Sequence, residues 1–368
     1  MKIAIAGSRG IPNNYGGFEQ CAENLAVLLV QLGHQVTVYN PDYHAFDKPI
    51  FNGVDIVKIW NPEKSIGTLG NFIYDYKCMK HAIGNQFDIL LVLGYTTSSI
   101  FFPFINKKKS VLITNMDGLE WKRDKWNTAI KKLAKWFESL GAKYSDYLVS
   151  DNREIRNYLL QEYQKDSVYI AYGAELFSDP NEKILSEYKL VAIQYDMLIA
   201  RLEKENNIET ILDGVVLSKS STPFLVIGNH TTPYGEFLKN KYKDSSNIHF
   251  VGGIYNFNHL NNLRWYCRLY FHGHSVGGTN PSLLEAMASK AFIAAHDNNF
   301  NRDVLNQTAM YFSSPEQVSD LILNIASISE NRISYIENNY KKIESEFNWM
   351  KITKEYEALF NLVKRDKQ

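Results

Sequence analysis

The sequence predicts an α/β protein of two domains, each built on a mainly parallel sheet. Its 368 residues provide for roughly two domains at about 150 residues each. Short, continuously apolar runs alternate with amphipathic helical patterns, as expected for strands that helices cover on both faces. From Ala174 to about Tyr195 the chain is polar and irregular, which is typical of an interdomain connection.

Seven apolar runs predict the strands of the first domain: KIAIAG (2–7), QVTVYN (35–40), VDIVKIW (54–60), DILLVLG (88–94), SVLITN (110–115), DYLVS (146–150) and SVYIAYG (167–173). Helical patterns lie between them near 18–32, 68–84, 124–141 and 152–163. A second series of strands follows the connection: YDMLIA (195–200), FLVIG (224–228), NIHFVG (247–252), RLYFHG (268–273) and KAFIAA (290–295). Helices are expected between these strands, and three helical stretches from about Pro315 to the end.

The amino-acid composition excludes several classes of protein and indicates the cellular compartment. Lysine plus arginine and aspartate plus glutamate both number 40, so the zero net charge argues against a nucleic-acid binder. The three cysteines lie far apart without a C-x-x-C pair, which favours a reducing compartment over a disulfide framework or a thiolate zinc site. The first apolar run stops at Gly7, too early for a signal peptide, and no run approaches the ~18 residues of a membrane span. We therefore expect a cytoplasmic protein whose membrane contact is peripheral.

The first predicted strand ends in a glycine-rich loop, GSRGIPNNYGGFEQ. Gly16 and Gly17 allow close backbone approach, and the helix that follows can offer amides to an anion. The spacing fits neither the dinucleotide-binding G-x-G-x-x-G pattern nor a Walker A loop. An ordinary glycine-rich turn is the alternative, and Arg9 either holds a phosphate or caps the domain edge.

A second glycine loop occurs in HGHSVGGTNPSLLEAMA (272–288). Asn280 is a good N-cap and Pro281 suits the first helical position, so a helix is predicted to start there. The flexible loop before the cap consists of Gly277, Gly278 and Thr279.

The start of this helix is a candidate diphosphate site. Free amides near Ser282 and Leu283 are expected to stabilise a diphosphate together with the helix dipole. Glu285, one turn into the helix, can accept hydrogen bonds from two neighbouring hydroxyls of a ribose or deoxyribose ring. The alternative is that Glu285 merely favours its own helix.

Two further features lie at strand ends. His272 and His274 alternate as some metal ligands do, but no carboxylate or thiol set stands near them, so packing or sugar contacts are favoured over metal. Arg201 follows another strand, in LIARLEKENNIE, where a fixed guanidinium suits bidentate contact with a diphosphate. Its alternative is an ion pair with Glu203 or Glu205 on a solvated face.

The order of these motifs resembles family 4 of the retaining GT-B glycosyltransferases over nearly the whole chain: a glycine loop after the first strand, R-L-x-x-E-N before a helix, and P-S-L-L-E-A-M-A after a second glycine loop. GSRGIPNNYGGFE, NMDGLEWKRDKW and HGHSVGGTNPSLLEAMA look like the bacterial rhamnosyltransferase branch that builds cell-wall, capsular and O-antigen polysaccharides. The resemblance implies a GT-B fold, with an acceptor domain over 1–175 and a donor domain over 176–349 facing each other across a cleft. It also implies that a C-terminal helix at about 350–368 packs back on the first domain.

The resemblance assigns roles residue by residue. Gly16 and Gly17 would approach the donor diphosphate, Arg201 would neutralise it, Glu285 would hold the nucleoside sugar, and the loop 277–280 would contact the transferred sugar. The implied reaction is transfer of a sugar, most readily L-rhamnose from dTDP-β-L-rhamnose, onto a lipid-diphosphate-linked saccharide. No cofactor or metal is expected, because cationic side chains and helix amides can stabilise the leaving diphosphate and no D-x-D pair occurs. The alternatives are another donor such as UDP-GlcNAc, a GT-B-like epimerase, or a non-catalytic two-lobed sugar-binding protein.

The sequence departs from the family pattern at two positions. Gly277 stands where the family has a glutamate eight residues before the helix glutamate, and Asn206 stands where it has a lysine. Both departures fit a deoxysugar with fewer hydroxyls. After the strand SVLITN, Asp117 and Glu120 are the candidate acids for orienting or assisting the acceptor, with a loop hydrogen-bond network as the alternative.

The zero net charge conceals a basic segment, residues 121–143, in which seven lysines and arginines face two acids, a local charge of +5. Lysines occupy the other faces of this predicted helix. Its apolar residues recur at helical spacing: Trp126, Ile130, Leu133, Phe137 and Leu140. A basic amphipathic helix with tryptophans suits an anionic membrane surface. The alternative is that the apolar stripe only covers the first sheet.

Overall fold

The chain folds into two units in the computed structural model, which describes residues 1–14, 16–105, 110–116, 118–123 and 126–365. The first unit contains Met1–Lys122, Trp126–Tyr172 and the chain from Trp349 onward. The second contains Gly173–Asn348 together with Arg123. Each unit has its own sheet.

The strands of the first unit are β1 (Lys2–Ala6), β2 (Gln35–Pro41), β3 (Ile50–Phe51), β4 (Val54–Ile59), β5 (Ile89–Leu93), β6 (Val111–Asn115), β7 (Tyr147–Ser150) and β8 (Val168–Tyr169). Their order in the sheet is β3-β4-β2-β1-β5-β6-β7-β8. Neighbours are parallel except for the β3–β4 hairpin at one edge. Strands β1 and β5 are buried along almost their whole length, which explains their continuously apolar sequences.

The helices of the first unit are α1 (Gly17–Gln31), α2 (Glu63–Ile66), α3 (Gly70–Gly84), α4 (Thr128–Tyr144) and α5 (Arg153–Tyr163). Helix α4 begins at Thr128, four residues later than predicted. The reason is a cap: the side chain of Asn127 accepts a hydrogen bond from the Ile130 amide at 3.0 Å.

The second unit contains six parallel strands among its described residues: β9 (Asp196–Ile199), β10 (Phe224–Ile227), β11 (Ile248–Gly252), β12 (Leu269–His272), β13 (Ile293–His296) and β14 (Met310–Phe312). The sheet order is β11-β10-β9-β12-β13-β14. Its helices are α6 (Ile208–Ser218), α7 (Pro233–Lys241), α8 (Phe257–Tyr266), α9 (Pro281–Ala288), α10 (Asn299–Leu305), α11 (Pro315–Leu323), α12 (Ile325–Ile328) and α13 (Arg332–Ser345). Strand β14 was not predicted, because three residues are too few to show a pattern.

The last helix, α14 (Trp349–Arg365), belongs to the first unit and packs against α1. Its apolar face is buried, and Tyr356 and Phe360 are among its buried side chains. At the edge of this contact, Nε2 of His34 lies 2.8 Å from Oε1 of Glu357.

The two sheets share one topological feature. In each, the strand that comes first in the chain lies in the middle, and the strand order reverses between β1 and β5 and between β9 and β12. Such a reversal leaves an opening outside the carboxyl ends of the strands, where open α/β sheets bind ligands. The prediction of two Rossmann-like domains is confirmed.

Candidate functional site

Arg201 follows β9 and Gly273 follows β12, the two strands between which the order of the second sheet reverses. Gly228 follows β10, the other neighbour of β9. A Cβ on Gly228 would lie 2.1 Å from the carbonyl oxygen of Ala200, and one on Gly273 would lie 2.0 Å from that of Asn206. Backbone groups approach too closely here for any side chain. The sequence did not single out either glycine, because the limit on side-chain size at these positions comes from backbone groups of other segments.

Hydrogen bonds join the turn after β9 to the loop after β12. The buried side chain of Asn206 donates to the carbonyl of Arg201 at 2.7 Å. Asn207 donates to the carbonyl of Gly273 at 2.8 Å, and the hydroxyl of Ser275 donates to that of Glu205 at 2.7 Å. Asn206 therefore braces the turn that carries Arg201.

The side chain of Arg201 is exposed, and no hydrogen bond or ion pair from the described residues engages its guanidinium. The alternative of an ion pair with Glu203 or Glu205 is not realised. The carboxylates of Glu203 and Glu205 instead lie 3.8 and 3.6 Å from Nη1 of Arg123. Arg123 belongs to the basic segment, residues 121–143. Burial, with the neighbouring Glu203, raises the pKa of Glu205. Only the folded chain brings Arg123 to these acids.

Helix α9 starts where the sequence predicts. The Asn280 side chain accepts a hydrogen bond from the Ser282 amide at 2.9 Å, and Pro281 occupies the first helical position. The Asn280 carbonyl accepts a hydrogen bond from the Leu283 amide at 3.0 Å. The expectation that the Ser282 and Leu283 amides are free is therefore wrong, because the cap occupies one and the helix the other. Their contact with a diphosphate remains a prediction, and it requires the ligand to compete with Asn280.

The loop before the cap leaves room for a ligand. Gly277 has a φ of +127°, a conformation that favours glycine, and a Cβ there would meet no atom within 4 Å. Gly278 follows it, and Thr279 is buried. Glycine at position 277 is thus required by the backbone conformation and not by lack of space.

Glu285 has a partner that the sequence did not reveal. Its Oε2 lies 2.6 Å from Nη2 of Arg264, whose side chain is only 1% exposed. The same guanidinium also donates to the Ser282 hydroxyl at 3.3 Å, and that hydroxyl lies 3.0 Å from the Tyr270 hydroxyl. A nearly inaccessible cation therefore fixes the Glu285 carboxylate at the start of α9.

His272 and His274 stack, with ring centroids 4.5 Å apart and an interplanar angle of 19°. Burial lowers the pKa of His272, and burial with the charges of Arg201 and Arg123 lowers the pKa of His274 to about 3. Both imidazoles are therefore neutral near pH 7. Within the described part of the chain, no three His, Cys, Asp or Glu side chains are grouped to hold a metal ion.

The glycine loop of the first unit contains an acid close to the proposed anion contact. The buried carboxylate of Glu19 accepts a hydrogen bond from the Arg9 amide at 2.6 Å and would lie 3.3 Å from a Cβ on Gly16. Gly17 is the first residue of α1. Nη2 of Arg9 lies 2.6 Å from Oε1 of Glu63, which favours the capping interpretation of this arginine.

Asp117, one of the two proposed acceptor acids, lies outside the described residues. Glu120 begins a 3-10 turn that ends at Lys122, in the segment between β6 and α4. That turn is tied down by Glu138 of α4, which accepts a hydrogen bond from Nε1 of Trp121 at 3.1 Å. Sequence analysis missed Glu138, because a single acid on a lysine-rich helix resembles a solvated residue.

Residues 1–175 match the family model described as a domain of unknown function, DUF1972. An uncharacterized glycosyltransferase of Methanocaldococcus jannaschii is 27% identical over 241 residues, which cover 59% of this chain and 59% of that protein. The chain thus spans less than two thirds of the length of this relative.

Solved structures resemble the whole chain. Sucrose-phosphate synthase from Thermosynechococcus elongatus superposes with a TM-score of 0.79 at 14% identity, over 98% of both chains. Anabaena HepE, in complex with UDP and glucose, gives a TM-score of 0.74 at 13% identity, over 98% of this chain and 99% of the other. The protein therefore has an α/β fold of the GT-B type, with two parallel-sheet Rossmann-like domains.

Proposed function

We propose that the protein is a retaining glycosyltransferase that takes a sugar from a nucleotide diphosphate donor. The observation that carries the proposal is the exposed Arg201 guanidinium, which projects from the reversal point of the second sheet without a partner among the described residues. A cation held at this place on a braced turn suits a diphosphate. The Methanocaldococcus relative is named a glycosyltransferase, and HepE structures contain UDP or UDP-glucose, which supports the same chemistry.

The proposed reaction is a displacement at the anomeric carbon. The acceptor hydroxyl attacks from the face that the leaving diphosphate occupies, and a departing phosphate oxygen takes its proton. A glycosidic bond forms as the bond between the sugar and the diphosphate breaks. Arg201 stabilises the negative charge that develops on the leaving group, and Glu285, fixed by Arg264, accepts hydrogen bonds from the nucleoside sugar.

We assign dTDP-β-L-rhamnose as the donor, on the basis of the resemblance given above. Gly277 is consistent with this choice, because the residue that usually contacts donor hydroxyls is a glycine here. The charge of Arg201 helps to lower the pKa of His274, so these two side chains are near each other. The neutral imidazole of His274 suits contact with an uncharged sugar. The acceptor is assigned as a lipid-diphosphate-linked saccharide in bacterial surface polysaccharide synthesis.

The proposed location is the inner face of the cell membrane, with α4 in contact with anionic lipid. The buried face of α4 includes Phe137, but Ile130, Leu133 and Trp136 are 39%, 46% and 48% exposed. Two members of the predicted apolar stripe, Ile130 and Leu133, are therefore exposed and do not cover the sheet, whereas Phe137 is buried. Exposed apolar residues beside lysines suit an interfacial helix. No helix of the described chain is long and apolar enough to cross a bilayer.

The test begins with nucleotide binding. We expect dTDP to raise the melting temperature more than UDP or GDP does, and we expect Arg201→Ala to reduce that stabilisation. Arg302→Ala is the matched control, since it removes an exposed arginine of the same unit that pairs with Asp297. No stabilisation by any nucleotide would contradict a nucleotide-dependent transferase and favour a sugar-binding protein. A preference for UDP would be compatible with a glycosyltransferase but would contradict the assignment of dTDP-β-L-rhamnose as the donor.

The product then tests the acceptor and the stereochemistry. The protein is incubated with a panel of nucleotide sugars and lipid-diphosphate saccharides, and products are identified by mass spectrometry and NMR. An α-linked rhamnose on the lipid-linked acceptor would be the inverted product from the β-linked donor, and a β-linked one the retained product. The proposal requires retention.

A further inference from the structure

A cavity of about 440 Å³, widely open to solvent, lies beside the first two turns of α4. Its lining combines one tryptophan, one threonine and four lysines: Trp121, Lys122, Thr128, Lys131, Lys132 and Lys135. Thr128, Lys131, Lys132 and Lys135 recur at helical spacing, so one face of α4 forms one wall. The side chains of these four lysines therefore border one space, and their charge favours an anionic ligand there.

A buried carboxylate, that of Glu138, fixes two of the side chains that line this cavity. Glu138 is 1% exposed and accepts hydrogen bonds from Nε1 of Trp121 at 3.1 Å and from Nζ of Lys135 at 3.2 Å. The hydroxyls of three tyrosines also donate to it, at 3.0, 2.5 and 2.7 Å: Tyr95, Tyr158 and Tyr163. Trp121 and Lys135 are thereby held in place before any ligand arrives.

The cavity carries excess positive charge. Lys135 is balanced by Glu138 and by Glu162, whose Oε1 lies 2.9 Å from its Nζ. Lys122 and Lys132 have no carboxylate partner in the described ranges. Nζ of Lys122 instead lies 5.4 Å from the Trp121 ring centroid. A ring contact of this kind orients an ammonium without neutralising it.

We propose that this cavity binds the diphosphate group of the lipid-linked acceptor. A diphosphate presents several anionic oxygens to the lysine side chains that border the cavity, and the exposed Ile130, Leu133 and Trp136 of the same helix offer apolar contacts to the attached hydrocarbon. The inference rests on the proposed function for the identity of the acceptor. It concerns the first unit and is separate from the donor site at Arg201 in the second unit.

The test uses neutral phosphatidylcholine vesicles that contain either a polyprenyl diphosphate or phosphatidylserine at equal surface charge, without nucleotide and at physiological salt. We expect tighter binding to the diphosphate vesicles. The double variant Lys122→Ala, Lys132→Ala should lose about 30-fold in affinity for them, since each lysine near an anionic surface contributes about fivefold. A water-soluble short-chain prenyl diphosphate should compete for the site, and inorganic pyrophosphate should compete more weakly because it lacks the apolar contact.

Lys143→Ala/Lys80→Ala is the matched control, because it removes two charges from exposed lysines of the same unit outside the cavity. The inference is wrong if the wild type binds phosphatidylserine vesicles equally well, which would indicate a general basic surface. It is also wrong if the control loses as much affinity as the cavity variant, or if pyrophosphate alone competes as well as the prenyl diphosphate. The thermal shift with dTDP is measured on the same proteins: failure of that shift refutes the donor proposal, whereas failure of the vesicle preference refutes this one.

Discussion

The ion pair between Arg264 and Glu285 leads to a quantitative prediction about the donor site. Glu285→Ala removes the carboxylate 2.6 Å from a guanidinium that is 99% inaccessible to solvent, since its side chain is 1% exposed. Breaking a buried pair on one side costs about 3 to 5 kcal/mol, because the remaining charge is left without a counterion. For a unit of this size, 1 kcal/mol corresponds to about 2 to 4 °C, so the melting temperature should fall by about 10 °C.

The matched control is Glu337→Ala in the same unit. Glu337 pairs with Lys290 at 3.0 Å, but the two side chains are 46% and 28% exposed. A solvated pair of this kind contributes about 0 to 1 kcal/mol, so the melting temperature of this variant should fall by at most about 4 °C. Both variants lose one glutamate from one ion pair, and only the burial of the partner differs.

Scanning calorimetry of the second unit's transition measures both variants. The double variant Glu285→Ala, Arg264→Leu should regain much of the lost stability, because it removes the buried charge that the single variant leaves unpaired. Equal shifts for Glu285→Ala and Glu337→Ala would refute the assignment of a buried pair. A double variant less stable than Glu285→Ala would show that Arg264 stabilises the unit through its other contacts.

Three further predictions concern the same unit. Arg201→Ala should weaken dTDP binding about 10- to 100-fold by calorimetric titration, since charged hydrogen bonds contribute about 1.5 to 3 kcal/mol; an unchanged Kd would exclude the proposed contact. Gly273→Ala should destabilise the fold by more than about 2 kcal/mol in urea unfolding, because its Cβ would lie 2.0 Å from a backbone oxygen. Gly84→Ala, whose Cβ would meet nothing within 4 Å, is its control and should not destabilise. The pKa of His274 is lowered to about 3 in the folded chain, so between this pKa and about pH 6.5 the unfolded chain binds more protons than the folded one. The contribution of neutral His274 to stability is therefore present above about pH 6.5 and falls by up to about 1.4 kcal/mol per pH unit as the pH decreases towards 3. His274→Gln should flatten that pH dependence, and an unchanged slope would show that this histidine is not the group responsible.

Local patterns predicted most of the architecture. The continuously apolar strands β5 and β10 could be recognised because parallel strands covered on both faces leave no polar positions. The start of α9 could be recognised because a cap is a local interaction, made by Asn280 and Pro281 within one turn. The start of α4 was placed too early, because the amphipathic pattern extends through residues that the Asn127 cap excludes from the helix.

The partners of the charged residues could not be predicted in the same way. Arg201 was recognised as a candidate by its position after a strand, but Arg123 was grouped with the basic segment, although it lies within 4 Å of Glu203 and Glu205. Ion pairs across 21 or 80 residues of sequence leave no periodic signal, so Arg264 as the partner of Glu285 was equally invisible.

The amino-acid sequence by itself determined the two α/β units, the strand ends at which glycines and cations collect, and the basic character of the segment around α4. These features depend on contacts between residues a few positions apart, and such contacts produce recognisable hydrophobic periodicity and capping patterns. Tertiary structure alone decided that Glu138 is buried and that Arg264 holds Glu285. The folded backbone also showed that the Asn280 cap occupies the Ser282 amide and the helix the Leu283 amide, both of which were expected to be free. The physical reason is that burial and pairing depend on which distant segments approach, and a carboxylate has the same sequence signature whether it faces water or an inaccessible cation.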